Sequence, residues 1–432
     1  MGSGKTSYII QELNDNPHKN YFYATPYIDE TLRIKEATNQ LFVDPKPIEG
    51  AKQNHLHKLL ADEVNITTTH SLFKRATAET AELIQKGHYT LILDEVMDVV
   101  DVFREPNKKG EDKPFKLGDI KFLLDEKLIT IDPKTFYVRW NPDKIYSDYK
   151  YEAFSICAQN NCLMYIDNKL MLWQFPKEIL AAFDEVIILT YLFNGSFMKG
   201  WLDYHNFDYE MKAITHTIQA NGTRHYSLVQ FVPSKEDRAR LRKLIKIEED
   251  TKLNAIGAKK NALCSSWYDN RLPRKLEIKS LKNNLLNFNT NKAKGRSDTK
   301  MWTAYRKAEK YLKGKGYTVA HKLEKGIEHT KEEEKRANCF VPLNCRATNI
   351  FGDRFNLAYA ANIFVHPYIE KFFSYGGIQI DEDAYALSEM LQWIWRSRIR
   401  NDQPIHIYIP SKRMRSLLKA WLNHDEIAYI DD

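Results

Sequence analysis

Met1-Gly2-Ser3-Gly4-Lys5-Thr6 opens the chain, and the apolar-periodic run from Tyr8 to Leu13 follows it. Glycines lack a Cβ, so successive backbone N–H groups in such a stretch can surround a polyphosphate. Lys5 would reach the outer phosphates, and the Thr6 hydroxyl would ligate Mg²⁺. The sequence therefore predicts a nucleotide-binding loop formed by Gly2, Ser3, Gly4, Lys5, Thr6 and Ser7, and a helix from Lys5 to Leu13.

The loop begins without the element that normally carries it. A phosphate-binding loop ordinarily follows the end of a buried strand, and no residues precede this one. We expect that the natural reading frame begins upstream or that the chain is a fragment, and that about ten added upstream residues would raise nucleotide affinity. A flexible N-terminal tail is the alternative, and the next acidic motif decides between the two.

That motif is the run Tyr89 to Leu93 followed by Asp94 and Glu95. An apolar run too short for a typical helix and closed by two acids predicts a buried parallel strand that delivers carboxylates to the sheet edge. Asp94 would hold Mg²⁺, and Glu95 would polarise the attacking water. Following a Gly-Lys-Thr loop after two intervening βα units, the acid pair favours the nucleotide site over the tail.

Further apolar runs predict neighbouring strands. One ends at Thr25-Pro26, where an α/β sheet exposes the carboxyl end of a strand and binds ligands. Another, from Val64 to His70, ends in threonines. These hydroxyls either cap the following helix or contact a phosphate backbone, and the residues alone do not choose. A third runs from Glu185 to Thr190.

Length and composition limit the class of protein. A chain of 432 residues is too long for a single hydrophobic core. Its content of 43% hydrophobic and 12% aromatic residues is enough to form the cores of two or three globular domains. No apolar run has membrane-spanning length, and the five cysteines lack metal-site spacing, so we expect a cytosolic protein with reduced thiols and no membrane partner.

Positive charge is concentrated in one segment. Residues 271–315 contain 14 Lys/Arg and three acids, although the whole chain has a net charge of +7. Aromatic residues alternate with these cations, which suits single-stranded nucleic acid because cations bind phosphates and rings stack on bases. Lys292, Lys294, Arg296 and Trp302 are the candidate contacts. The alternative is a solvated face.

The C-terminal region predicts a helix from Ala384 to Arg400 with Arg396 and Arg400 on one face. These arginines either stabilise charge on a transferred phosphoryl group or form ordinary salt bridges. Hairpins predicted within residues 128–173 indicate an accessory insertion earlier in the chain.

Together these motifs resemble the superfamily 2 DNA/RNA helicases, in particular divergent phage- or prophage-type members. The Gly-Ser-Gly-Lys-Thr loop is similar to motif I, Asp94-Glu95 to motif II, and Leu189-Thr190-Tyr191 to motif III. Weaker similarities, to motif Ia, to the threonine-rich strand end and to motif V, imply nucleic-acid contacts at Thr25, Pro26, Thr68, His70, Thr348 and Asn349. A similarity to motif VI implies catalytic roles for Gln392, Arg396 and Arg400.

The resemblance implies an α/β fold of two RecA-like P-loop NTPase domains with parallel sheets and inserted accessory segments, lacking the first strand. Domain 1 would span residues 1–205 with an insertion at about 110–180, and domain 2 residues 206–432 with a basic insertion at about 235–340. ATP with Mg²⁺ would bind between them, and hydrolysis would ratchet the protein along a strand.

The expected function is thus an ATP-dependent helicase or translocase in the cytoplasm of a bacterial host. Single-stranded or forked DNA is the expected partner, with RNA as an alternative and phage or host replication proteins as further partners. Two other functions stay open. One is a non-catalytic nucleic-acid-binding or helicase-loading protein with a decayed ATPase, and the other is a packaging-terminase-like motor.

Overall fold

Helices and strands alternate along the chain in a computed structural model that describes residues 4–26, 28–48, 51–105, 113–144, 149–232, 238–273, 275–324, 326–345 and 350–423. The strands are β1 (Asn20–Thr25), β2 (Ile66–Thr69), β3 (Tyr89–Asp94), β4 (Val100–Val102), β5 (Arg104–Glu105), β6 (Lys113–Pro114), β7 (Ile129–Ile131), β8 (Val138–Trp140), β9 (Leu163–Ile166), β10 (Leu170–Gln174), β11 (Glu185–Leu189), β12 (Lys212–Ile218), β13 (Arg224–Gln230), β14 (Ile245–Ile247), β15 (Lys300–Thr303), β16 (Asn356–Tyr359) and β17 (Ile405–Tyr408).

The α-helices are α1 (Lys5–Asp15), α2 (Ile28–Ala37), α3 (Lys52–Ala61), α4 (His70–Phe73), α5 (Ala78–Lys86), α6 (Leu117–Asp125), α7 (Glu152–Gln159), α8 (Lys177–Ala181), α9 (Phe197–Tyr204), α10 (Arg238–Leu244), α11 (Thr251–Asn254), α12 (Ser265–Asp269), α13 (Leu276–Asn287), α14 (Glu309–Leu312), α15 (Lys331–Arg336), α16 (Pro367–Tyr375), α17 (Glu382–Ile394) and α18 (Lys412–Asn423).

Two units divide the described chain. Residues 4–230 with 366–380 form the N-terminal unit, and residues 231–365 with 381–423 form the C-terminal unit. Each contains a four-stranded parallel sheet, so the α/β class predicted from the sequence is confirmed.

The sheet of the N-terminal unit has the strand order β11-β3-β1-β2. Its strands are the apolar runs found in the sequence, and β1 and β3 are buried along nearly their whole length. β3 pairs with β1 on one side and with β11 on the other, so both of its edges are hydrogen-bonded.

Helix α1 covers one face of this sheet. Ile9 and Leu13 are fully buried and pack in one cluster with Tyr21, Tyr23 and Ile92. Burying two such aliphatic side chains contributes about 1.5 to 3 kcal/mol each, which holds the helix on the sheet. The predicted helix is thus confirmed and extends to Asp15.

A separate core lies within residues 103–171, where α6 and α7 pack against the β7-β8 hairpin and the sheet β4-β10-β9. Both hairpins predicted in this segment are confirmed. The hairpin of β9 and β10 turns at Asp167 and Asn168. Both residues have positive φ, as a two-residue hairpin turn requires.

The C-terminal unit is built on the sheet β14-β17-β16-β15. Its core includes Trp302, Tyr408 and Phe288, and α13 packs into the same cluster through Leu281 and Leu285. Helix α17 ends at Ile394, so the prediction of one helix reaching Arg400 is wrong. The Ser397 hydroxyl donates to the Ile394 carbonyl at 2.7 Å, and a short 3₁₀ turn, Arg398–Asn401, follows.

Candidate nucleotide site

The carboxyl ends of the parallel strands bring the predicted site residues of the N-terminal unit to one sheet edge. Thr25 is in register with Thr69 on β2, and Asp94 is in register with Leu189 on β11. Because β1 and β3 pair through Ala24 and Leu93, Asp94 follows at the level of Thr25. Threonine hydroxyls and a carboxylate thus lie in one row across the sheet.

Lys5 begins α1 at this same edge. The helix runs opposite to the strands, because beyond its far end Lys19 pairs with Glu185 at the start of β11, at 3.3 Å. Gly4 precedes the helix in the left-handed conformation (φ 80°), which glycine adopts without steric cost. The positive end of the helix dipole and the Lys5 ammonium therefore both lie at the carboxyl edge.

Asp94 is the electrostatic centre of the site. Burial is the main reason that its pKa is raised to about 7, and the carboxylates of Glu95 and Glu30 act in the same direction. Contact with Tyr23 and the charge of Lys5 act in the opposite direction. Lys5 is thus close enough to influence the Asp94 carboxyl, and the site concentrates negative charge that a cation would relieve.

Glu95 is held in a conformation that is rare for a residue with a side chain. Its φ is 63°, and its backbone N–H donates to the Leu189 carbonyl at 2.9 Å. The Glu95 Oε2 atom is buried without a hydrogen-bond partner among the described residues. Strained backbone and an unsatisfied buried oxygen are both costly, and such features concentrate at functional sites.

Two predicted threonines add further unsatisfied groups. The Thr25 and Thr68 hydroxyls are buried, and neither finds a hydrogen-bond partner in the described part of the chain. Thr69 occupies the N-cap position of α4, yet its side chain makes no capping bond there to any described residue. Helix capping therefore does not account for these hydroxyls. His70 begins α4 and is buried, and Pro26 follows β1 half-buried.

This set of oxygens fits Mg²⁺ only with help from a ligand. Among the described residues, no group of three or more His, Cys, Asp and Glu side chains could hold a metal by itself. Mg²⁺ is typically bound by one or two carboxylates together with substrate phosphates and water. Thr6 lies beside Lys5 in the first turn of α1. Its hydroxyl and the crowded Asp94 carboxylate suit that mode of binding.

A residue that the sequence did not single out completes the loop. A Cβ added to Gly4 would lie 2.5 Å from Cε1 of Tyr226, so the tyrosine ring packs directly on this glycine. The Gln11 amide fixes the same tyrosine by donating to its carbonyl at 3.0 Å and accepting from its N–H at 2.9 Å. Residues 206–230, predicted to begin the second domain, thus contact α1. No local signal predicts a contact across 215 residues. Tyr23 and Glu30 were missed for the same reason.

Three of the four predicted nucleic-acid contacts of the basic segment are engaged within the protein. Lys292 pairs with Asp250 at 2.8 Å, and Arg296 pairs with Asp298 at 2.6 Å. Trp302 is only 1% exposed, so the prediction that its ring stacks on a base is wrong in this structure. It lies in β15, whose four residues are all buried. Lys294 is exposed.

The residues that resemble motif VI are also dispersed. Gln392 is buried within α17 and donates to the Ser388 hydroxyl at 3.4 Å. Arg396 follows the end of that helix half-buried, and Arg400 is exposed in the 3₁₀ turn, so the two do not share a helix face. Gly2, Ser3, Thr348 and Asn349 lie outside the described residues.

No helix within the described ranges has both the length and the apolar character needed to cross a membrane.

Comparison with known proteins identifies the class of the C-terminal unit first. Residues 239–422 match the YonV C-terminal Rossmann-like domain, in keeping with the parallel sheet found there, and residues 111–173 match the YonV middle domain. Over 436 residues the chain is 38% identical to the SPbeta prophage-derived uncharacterized protein YonV of Bacillus subtilis (strain 168), covering 98% of this chain and 97% of that protein. The chain belongs to the YonV family.

Proposed function

We propose that the N-terminal unit binds and hydrolyses ATP, and that the chain is an ATP-dependent nucleic-acid helicase or translocase of phage or prophage origin. The observation that carries the proposal is the meeting of two sequence motifs at one sheet edge. Lys5 at the start of α1 and Asp94 at the end of β3 lie at the same edge of the sheet. These motifs are separated by about ninety residues, and nothing in either alone requires them to meet.

Each residue of the edge has a defined part in the proposal. The free backbone N–H groups of the first turn of α1 and the Lys5 ammonium would bind the β- and γ-phosphates. The half-buried Glu95 carboxylate would orient the attacking water and accept its proton. Its unsatisfied Oε2 atom supports this part, because a buried oxygen without a partner is available to a water molecule.

Mg²⁺ would be held by Thr6 and Asp94 and would neutralise charge on the phosphates. The parallel strand order β11-β3-β1-β2 with α1 on its face is the support for a RecA-like fold of this unit. The prophage origin of the B. subtilis relative supports a phage context.

ATP turnover with and without single-stranded DNA tests the proposal. Lys5→Ala is expected to lower turnover at least about 100-fold, because removing a charged group that stabilises transition-state charge typically has an effect of this size. Lys52→Ala is a matched control, since Lys52 is also the first residue of a helix in this unit and is exposed. Equal turnover in both variants and the wild type would remove the proposal.

A second candidate is a nucleic-acid-binding or helicase-loading protein whose ATPase has decayed. The specific observation in its favour is the dispersal of Gln392, Arg396 and Arg400, which leaves no common helix face for phosphoryl-group contacts. DNA binding that is independent of ATP, together with no measurable hydrolysis by the wild type, would select this candidate.

A further inference from the structure

The C-terminal unit contains a pocket of about 610 Å³ within the basic segment. The end of α12 and the stretch from residue 306 to 313 form its walls. Its volume lies in the range of small-molecule sites. Four cationic side chains and two acidic ones line it; they are Arg306, Lys307, Lys310, Lys313, Asp269 and Glu309.

The acids of the pocket are already engaged. Lys307 Nζ lies 2.6 Å from Asp269 Oδ1, while Glu309 receives both Lys313 at 2.9 Å and Arg306 at 3.3 Å. Two acids thus serve three cations, and the pocket retains excess positive charge. The Arg306 side chain is 75% exposed, so its guanidinium is accessible to a ligand, although it also lies 5.7 Å from the centroid of the buried Phe340 ring.

Lys310 is the cation with the most freedom. Within the described residues it has no carboxylate partner, and its ammonium lies 5.0 Å from the centroid of the Tyr311 ring. The ring is half-buried in the same pocket. A cation and an aromatic face side by side are the two elements that single-stranded nucleic-acid sites combine.

The rest of the basic segment is a poorer candidate. Lys292 and Arg296 each have an acidic partner, and Trp302 is buried in the core. Lys294 is exposed, but the only ring among the residues that the sequence indicated is the buried Trp302. Uncompensated charge beside an accessible ring therefore favours the pocket.

We infer that this pocket binds single-stranded nucleic acid, with Arg306 and Lys310 on backbone phosphates and Tyr311 against a base. The inference deepens the proposed function, on which it rests for the identity of the ligand. A free polyphosphate shares the phosphate chemistry but has no base, so it would use the cations without the ring.

The test measures binding of a fluorescent oligo(dT) to the full chain by anisotropy at several KCl concentrations, without ATP. The pocket variant is Arg306→Gln with Lys310→Gln, and its matched control is Lys292→Gln with Arg296→Gln, which removes the same charge from the same segment. The pocket variant is expected to bind about tenfold more weakly, with a salt dependence smaller by about one phosphate contact or more. The control is expected to stay within about twofold of the wild type. Equal losses in both variants, or none in the pocket variant, would overturn the inference.

Tyr311→Leu separates the ring from the charge. It is expected to lower oligonucleotide affinity about tenfold with the salt dependence unchanged, because stacking does not release counterions. Unchanged affinity would overturn the base contact, and displacement of the oligonucleotide by inorganic tripolyphosphate as effectively as by unlabelled oligo(dT) would overturn the strand as ligand. Failure of ATP hydrolysis would leave these measurements unaffected, so the two proposals fail separately.

Discussion

The sequence predicts the carboxyl edge of the N-terminal sheet better than it predicts the basic, arginine-rich C-terminal unit. At the sheet edge, Lys5 and Asp94 were predicted as parts of one site, and they lie close enough to interact. In the C-terminal unit, Trp302 is buried and the arginines near residue 400 leave the helix predicted to carry them. The sheet fixes the position of a residue at the end of a buried parallel strand. A count of charges or a helical spacing in the sequence does not fix where the side chains lie.

The largest expected effect tests the sheet edge. Glu95→Gln should lower ATP turnover by about 10³-fold, within the range for loss of a general base, while ATP binding is retained. Gln85→Glu, an exposed change in α5, offers a reverse substitution as control. Turnover that survives Glu95→Gln would mean that the strained conformation of Glu95 has another cause.

The next effect tests the C-terminal unit. Trp302→Ala should destabilise the protein by about 3 to 5 kcal/mol, because a fully buried ring leaves a large cavity. Urea unfolding followed by circular dichroism measures the change, and Trp302→Phe should lose less. A variant with wild-type stability and weakened DNA binding would instead restore the base contact predicted from the sequence.

The sequence predicted the strands of the N-terminal sheet well because each is a short apolar run ended by polar residues. It could not predict the burial of β15, since Lys300 and Thr303 do not look like core residues. Lys300 is buried because its ammonium donates to the Gly316 carbonyl at 3.0 Å. Likewise, the end of α17 depends on the Ser397 hydroxyl bond to the Ile394 carbonyl, and no proline or glycine marks it.

The sequence indicated the motif residues of the candidate site but not the residues that pack around them. Lys5, Asp94 and Glu95 follow from local patterns. Tyr23, Glu30 and Tyr226 do not, because their roles come from packing between elements distant in sequence. The Thr25 and Thr68 hydroxyls have no hydrogen-bond partner among the described residues, and their predicted contact with nucleic acid stays a prediction.

His205 in the N-terminal unit should make the stability of the protein depend on pH. Burial lowers the pKa of this histidine to about 4, so the folded protein keeps it neutral while the unfolded chain takes up a proton below about pH 6.5. This histidine alone should therefore lower stability by about 1 to 2 kcal/mol between pH 7 and pH 5. Asp94, whose pKa is raised to about 7 in the folded protein, should take up a proton and add stability over the same range. The effect of His205 is therefore the difference between the wild type and His205→Asn. Urea midpoints at both pH values check this. His205→Asn should gain stability relative to the wild type as the pH falls from 7 to 5, and His18→Gln, at an exposed position, is the matched histidine substitution.

The smallest effect concerns the packing of Tyr226 on the loop. Tyr226→Ala should raise the KM for ATP about tenfold with little change in kcat, because the ring packs on Gly4, which precedes the helix proposed to bind the phosphates. Tyr226→Phe should retain the wild-type KM, since the packing uses ring carbons. A loss of kcat in Tyr226→Ala would assign the tyrosine to the chemical step instead.

Equilibrium binding of ATP to the full chain, with Mg²⁺ and with excess EDTA, tests the central claim most directly. One ATP should bind the wild type with Mg²⁺, and affinity should fall at least about 100-fold in Lys5→Ala and fall markedly in EDTA, while Lys52→Ala binds as the wild type does. Equal ATP affinity in Lys5→Ala and the wild type would contradict the assignment of this sheet edge as a nucleotide site.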